Sequence, residues 1–225
     1  MSGPTLNSAT VSGNNFVTLV SWTLNVTSVA TNDTIVIGIL NTTNANPTLL
    51  PTSVVDGQGS YTLQGYSQNA FNNTLALYTL TNAVSGTHAV TITFPSAVSG
   101  GVLWSTWSNA GGSYVDGIGG SYTSATTTLS TTLSSVASSG TVISVANSGG
   151  VAPTGSGFSA ASWFTGGGLG SGVTGQYFTQ TGNGLVTPSY TYASSTYGEF
   201  VSLILQNTGA PSNNSGFFLL PQFRI

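Results

Sequence analysis

Side chains alternate with a period of two along most of this chain, and no stretch repeats its apolar residues at helical spacing. Residues 16–26 show the pattern. On an extended strand Phe16, Thr18, Val20, Trp22, Leu24 and Val26 fall on one face, and Val17, Leu19, Ser21, Thr23 and Asn25 on the other. Residues 34–40 are nearly continuous in apolar character, as in a strand buried on both faces. Asp56-Gly57-Gln58-Gly59 between β-forming runs predicts a hairpin at 53–63. Further strands are predicted at 73–81, 88–94, 102–108, 126–133, 141–146, 159–164, 175–180, 188–192 and 199–205. Turn residues separate them: Ser99-Gly100-Gly101, Ser139-Gly140, Ser148-Gly149-Gly150 and Gly166-Gly167-Gly168.

Many short strands at such spacing predict an all-β, antiparallel, jelly-roll-like β-sandwich. A boundary near Gly111-Gly112 would divide the chain into halves, but the halves show no convincing internal repeat. A single domain over 16–206 is therefore expected, with an N-terminal extension at 1–15 and a linker plus apolar C-terminal strand at 207–225.

Only 2% of residues are charged, where about 25% is ordinary. The set is Asp33, Asp56, Asp116, Glu199 and Arg224, with no lysine. Ser, Thr, Asn and Gly take their place, while 10 Phe, 9 Tyr and 4 Trp supply material for a core, unlike the composition of a disordered chain. A net charge of −3 with one arginine gives no basic patch for phosphates, so neither nucleic acid nor an anionic membrane surface is an expected partner. The longest apolar runs fall far short of the ~20 residues of a membrane helix, so no membrane insertion is expected. No signal peptide is visible at the start of the chain.

The titratable inventory is thin for catalysis, and no enzyme activity, metal or cofactor is expected. His88 with Asp56 or Asp116 and a serine would make a Ser-His-Asp set on paper, but no Gly-x-Ser-x-Gly elbow accompanies it. Asp56 and Asp116 each precede glycine and read first as turn residues. Zinc needs more His and Cys than one histidine and no cysteine, and Asp33 or Asp56 offers at most a weak calcium site. Trp104 and Trp107, three apart on a strand, point to opposite faces, so at least one belongs to the core. Tyr61, Tyr66, Tyr190, Tyr192 and Tyr197 sit near turns, where a sugar-stacking platform is the alternative to core packing.

Asn25, Asn32, Asn41, Asn72 and Asn213 are each followed by the N-glycosylation pattern. With 18 Asn and 68 Ser plus Thr in 225 residues, chance alone gives roughly five such sites. Their number is no sign of selection, although glycans remain candidate partners. The tail is a clearer feature. Phe217, Phe218, Leu219, Leu220, Phe223 and Ile225 form an apolar segment behind a polar linker, a hazard if left exposed. It is expected either to close its own sheet or to add a strand to a neighbour's. Phe16, Val20, Trp22 and Leu24, behind Gly13-Asn14-Asn15, are the alternative donor strand.

The run Thr52-Ser53-Val54-Val55-Asp56-Gly57-Gln58-Gly59-Ser60-Tyr61-Thr62-Leu63 resembles a β-sandwich module of phage tail-fibre and bacterial surface proteins. Leu77-Tyr78-Thr79, Gly86-Thr87-His88-Ala89-Val90-Thr91-Ile92-Thr93-Phe94 and Tyr197-Gly198-Glu199-Phe200-Val201-Ser202-Leu203-Ile204-Leu205 are similar to its later strands. The resemblance spans about residues 16–206 and implies a scaffold or adhesive role without catalytic residues. The composition also resembles that of extracellular filament subunits joined by donor-strand exchange. The expectation is a non-enzymatic subunit that assembles with itself into a pilus-like appendage or a virion surface outside the cell. The alternative is a carbohydrate- or receptor-binding module.

Overall fold

The computed structural model describes residues 4–43, 49–68, 73–121, 126–130, 133–136, 140–147, 154–156, 164–165, 173–180, 184–186, 188–196 and 198–207. Among them there is no helix, and every strand pairing is antiparallel. The all-β antiparallel expectation therefore holds.

The first half is built from β1 (Thr5–Val29), β2 (Asp33–Asn41), β3 (Ser53–Val55), β4 (Thr62–Gln68), β5 (Thr74–Ala83) and β6 (Gly86–Ser108). β1 and β6 are long and run alongside each other throughout. Their register slips repeatedly between Ser12 and Ser21, where the pair bends. Before the bend, Thr5–Ser12 faces Val102–Ser108 and extends a leaf ordered β1-β6-β2-β5-β4. Beyond it, Ser21–Val29 faces Gly86–Thr93, with β3 on the far side of β6, as a second leaf.

The two leaves close on one core. Trp22, Leu24, Val26, Val54, Val90, Ile92 and Phe94 of the small leaf pack with Ile35, Ile37, Ile39, Ala76, Tyr78, Val102 and Trp104 of the large one. Trp22 and Phe94 meet at 4.6 Å between ring centroids. Gly100 lies where the leaves approach, and a methyl there would strike the Leu40 carbonyl and the Trp22 ring.

The second half comprises β7 (Ala110–Ser121), β8 (Thr126–Ser130), β9 (Leu133–Val136), β10 (Gly140–Asn147), β11 (Thr154–Ser156), β12 (Phe164–Thr165), β13 (Val173–Gln180), β14 (Gly184–Val186), β15 (Ser189–Thr196) and β16 (Glu199–Asn207). Its large sheet runs β12-β13-β10-β16-β7, and its smaller ones β11-β15-β8 and β14-β9. Tyr190 of β15 packs against Phe200 of β16 with ring centroids 5.8 Å apart.

Period 2 explains how the large sheets stack. On β2, Ile35, Ile37 and Ile39 enter the first core, while Val36 and Leu40 turn to the opposite face. That opposite face, with Leu75, Leu77, Leu103 and Trp107, packs against Ala110, Ile143, Val145, Val201, Leu203 and Leu205 of the second large sheet. β2, β10 and β16 up to Gln206 are consequently buried on both faces. Trp104 and Trp107 do point to opposite faces, and both are core, one in each cluster.

Several expectations change. Residues 5–12 are strand rather than an N-terminal extension, because they pair with the end of β6. Strands predicted separately at 88–94 and 102–108 are one bent strand. The single face expected for residues 16–26 is broken by the register slips: Thr18 and Val20 are exposed, while Trp22, Leu24 and Val26 are buried. A strand at 159–164 lies mostly outside the described residues.

Candidate functional site

The hairpin predicted at Asp56-Gly57 forms, and its turn carries the densest polar cluster among the described residues. The Asp56 N–H donates to the Gly59 carbonyl at 3.0 Å, closing the turn. The Asp56 Oδ1 accepts from the N–H groups of Gln58 at 2.7 Å and Gly59 at 3.0 Å, the self-capping that makes Asp a turn residue. Its Oδ2 accepts from the Tyr61 hydroxyl at 2.9 Å and lies 2.6 Å from His88 Nδ1. His88 Nε2 donates to the Val84 carbonyl at 2.9 Å, and the Val84 N–H donates to Gln58 Oε1 at 2.9 Å. The β3–β4 turn is thereby stitched to the β5–β6 connection.

The pair is closed to solvent, with side chains 0% exposed at His88 and 1% at Asp56. Burial pushes the Asp56 carboxyl up, but the hydrogen bonds from His88, the Gln58 N–H, Tyr61 and the Gly59 N–H outweigh it and hold the group below its ordinary 3.8. Burial, then the Asp56 carboxylate, pushes the Tyr61 hydroxyl far above its usual range. A Ser-His-Asp relay needs the histidine nitrogen that faces away from Asp to reach a serine hydroxyl. Here that nitrogen is committed to a backbone carbonyl. The chemistry this geometry performs is fastening two loops.

The remaining described carboxylates are also turned inward. Asp33, 1% exposed, accepts from Asn7 Nδ2 with both oxygens at 2.9 Å and from the Ala30 N–H at 2.9 Å. It anchors the start of β1 to the β1–β2 corner. Glu199 is buried, its Oε1 accepting from Asn147 Nδ2 at 2.9 Å across the β10–β16 pair. Asp33, Asp56 and Glu199 lie in three separate neighbourhoods, and among the described residues no three His, Cys, Asp or Glu side chains gather as a metal site would require. Asp116 lies on β7, its side chain outside the described set, and Arg224 lies outside the described residues.

The described surface is consequently without charge: Ser, Thr, Asn and Gln cover it. On the small leaf Ser21 and Thr23 stand opposite Thr93 and Thr91, an outward row of hydroxyls. Large apolar side chains break the surface at Leu19, Val20, Leu63, Tyr66 and Val84, which are 37–57% exposed. Val20 was expected in a docking strand; the others were not. Residues 16–20 did carry a signal, since Phe16, Val17, Leu19 and Val20 place apolar groups on both faces of one strand.

The other site expectations divide. Trp22 and Leu24 are buried in their own core, and Phe16 lies on β1. Phe217, Phe218, Leu219, Leu220, Phe223 and Ile225 lie outside the described residues, as do Asn72 and Asn213. Asn25 and Asn32 are exposed. Asn41 is 2% exposed and its Nδ2 donates to the Leu49 carbonyl at 3.1 Å, leaving no room for a glycan. Tyr61 and Tyr190 are buried and unavailable as a sugar platform, which leaves Tyr66 exposed; the side chains of Tyr192 and Tyr197 fall outside the described set.

The fold and surface define an antiparallel all-β protein of stacked sheets in which the described charged side chains face inward. No family model, curated protein or solved structure matches this chain.

Proposed function

We propose that this chain is a non-enzymatic structural subunit that assembles with copies of itself into an extracellular filament or particle surface. The observation that carries the reading is the uncharged exterior of the described residues. Asp33, Asp56, His88 and Glu199 are all engaged inside the fold. A solvated enzyme or a freely diffusing monomer ordinarily keeps surface charge, because like-charge repulsion maintains solubility and separation. Identical subunits at high local density gain from the opposite arrangement. Hydroxyl and amide groups keep the surface wet, and copies approach without repulsion. Exposed Leu19, Val20, Leu63, Tyr66 and Val84 supply apolar contact points on such a surface.

Exchange of a terminal strand is the proposed link, with the apolar segment at 217–225 as donor. β1 is less suited, because Trp22 and Leu24 already complete their own core. Negative-stain electron microscopy and sedimentation of the purified full chain test the reading. Threads or lattices are expected, together with their loss on deletion of residues 208–225. A monomer at every concentration would refute assembly, and normal threads from the shortened chain would refute the tail as donor.

A further inference from the structure

The strand order of the second half repeats that of the first. The large sheet of the first half reads β1-β6-β2-β5-β4; that of the second, in the same direction, reads β7-β16-β10-β13-β12. The small leaves correspond too: β1-β6-β3 beside β8-β15-β11. Even the extra pair β9–β14 has its counterpart, where the end of β1 meets the beginning of β6 at Val29 and Gly86. The long β1–β6 pairing thus has three counterparts, with β1 matched by β7, β8 and β9 and β6 by β16, β15 and β14, and every other pairing of the first set has one.

Part of the contact between the halves is reciprocal. The large sheets meet in one apolar cluster to which matched strands contribute: Val36 and Leu40 of β2 with Ile143 and Val145 of β10, and Leu103 and Trp107 of β6 with Val201, Leu203 and Leu205 of β16. β4 packs against β7, and its counterpart β12 against β1. Trp107 of β6 stacks edge-on with Tyr177 of β13 at 5.0 Å, and correspondingly β16 packs against β5. Where element i touches j and the counterpart of j touches the counterpart of i, the contact has the isologous form of a two-fold dimer; β4 against β16, and β7 against β5 and β2, add contacts outside that pattern.

The connection that holds this pair together is one residue long. β6 ends at Ser108 and β7 starts at Ala110; between them Asn109 has φ of 57°, a left-handed conformation that asparagine tolerates. The first half keeps its own core between its two leaves, so that core need not open if the halves part.

We propose that the chain is a tandem of two copies of one sandwich unit, and that the face joining them is also an interface between molecules. The partner is a second copy of this chain: the first unit of one molecule takes the second unit of the next, with the backbone straightened at Asn109. Contacts in the closed and exchanged forms are the same, so concentration and the hinge set the balance. Reciprocal exchange closes a dimer, while head-to-tail exchange leaves a free face at each end and propagates a thread. The inference rests on the self-assembly reading and supplies a link for it that the terminal strand does not.

The test uses the full chain with the hinge altered: one variant with six Gly/Ser residues inserted after Asn109, another with Asn109 deleted. Sedimentation velocity at matched concentration, with circular dichroism to verify folding, compares both with the native chain. Lengthening a hinge favours the closed form, and removing it forbids closure. The association constant is expected to fall on insertion and rise on deletion, the two differing by about a hundredfold or more, the scale on which tethering acts. If the deletion variant does not fold, native against insertion decides. Equal association with either hinge, abolished only by removing residues 208–225, overturns unit exchange and leaves self-assembly standing. No association in any variant overturns both.

Discussion

Asp56 shows how a single residue joins local and distant structure. Its turn role is legible from Asp56-Gly57 alone, because a side chain that caps its own backbone needs only neighbours. Its partner His88 is 32 residues away, and only the folded register brings it to 2.6 Å. Truncating one member of a buried pair leaves the other uncompensated, so Asp56→Asn is expected to cost about 3 kcal/mol, read from urea denaturation. Tyr61→Phe loses one hydrogen bond to the carboxylate and should cost about 2 kcal/mol. The pH dependence has a definite sign. The Asp56 carboxyl lies lower in the fold than its unfolded value near 3.9. Its contribution is complete above that value and fades as pH falls through the folded one. The native chain should lose stability below about pH 4, and Asp56→Asn should lack that component of the loss. Identical acid profiles would contradict this account of the pair.

At the scale of elements, the isoleucines of β2 announce a buried strand directly, since a sequence apolar at successive positions suits a strand covered on both faces. The bend of β1 and β6 was not legible. Bulges reset the two-residue parity, so a face assigned from Phe16 onward fails at Thr18 and Val20 and is recovered only from Trp22. β7, with glycines at 111, 112, 117, 119 and 120, reads as a boundary from composition because glycine disfavours strands. Pairing with β16 makes it one. Gly100 is tied to the same bend by close approach, with the Leu40 backbone on one side and the Trp22 ring on the other. Gly100→Ala should therefore cost about 3 kcal/mol or more and separate the leaves, whereas Gly57→Ala, with open space around it, should cost far less by thermal denaturation.

At the scale of the whole molecule, the repeated strand order was hidden because the halves share topology while differing in side chains. The matched strands β2 and β10 supply Val36 and Leu40 from one half and Ile143 and Val145 from the other, apolar in each but at different spacings. A short echo in sequence is Asn109-Ala110-Gly111 beside Asn207-Thr208-Gly209, where Asn109 follows β6 and Asn207 ends β16. Trp107 stands at the junction of the halves, buried and with its Nε1 donating to Ser105 Oγ at 2.8 Å. Trp107→Ala should cost about 4 kcal/mol and loosen the halves, raising hydrogen exchange in β10 and β16 more than in the core around Ile35 and Ile92. Charge deficiency was legible from composition; that the described charges all face inward required the structure.

That inward arrangement is the basis for proposing assembly, and sedimentation velocity of the purified full chain, across protein concentration at low and high salt, tests it most directly. An uncharged contact surface predicts multimers that grow with concentration and change little with salt, since screening finds no charge on the described surface to act upon. A monomer at every concentration, or association abolished by salt, would contradict it.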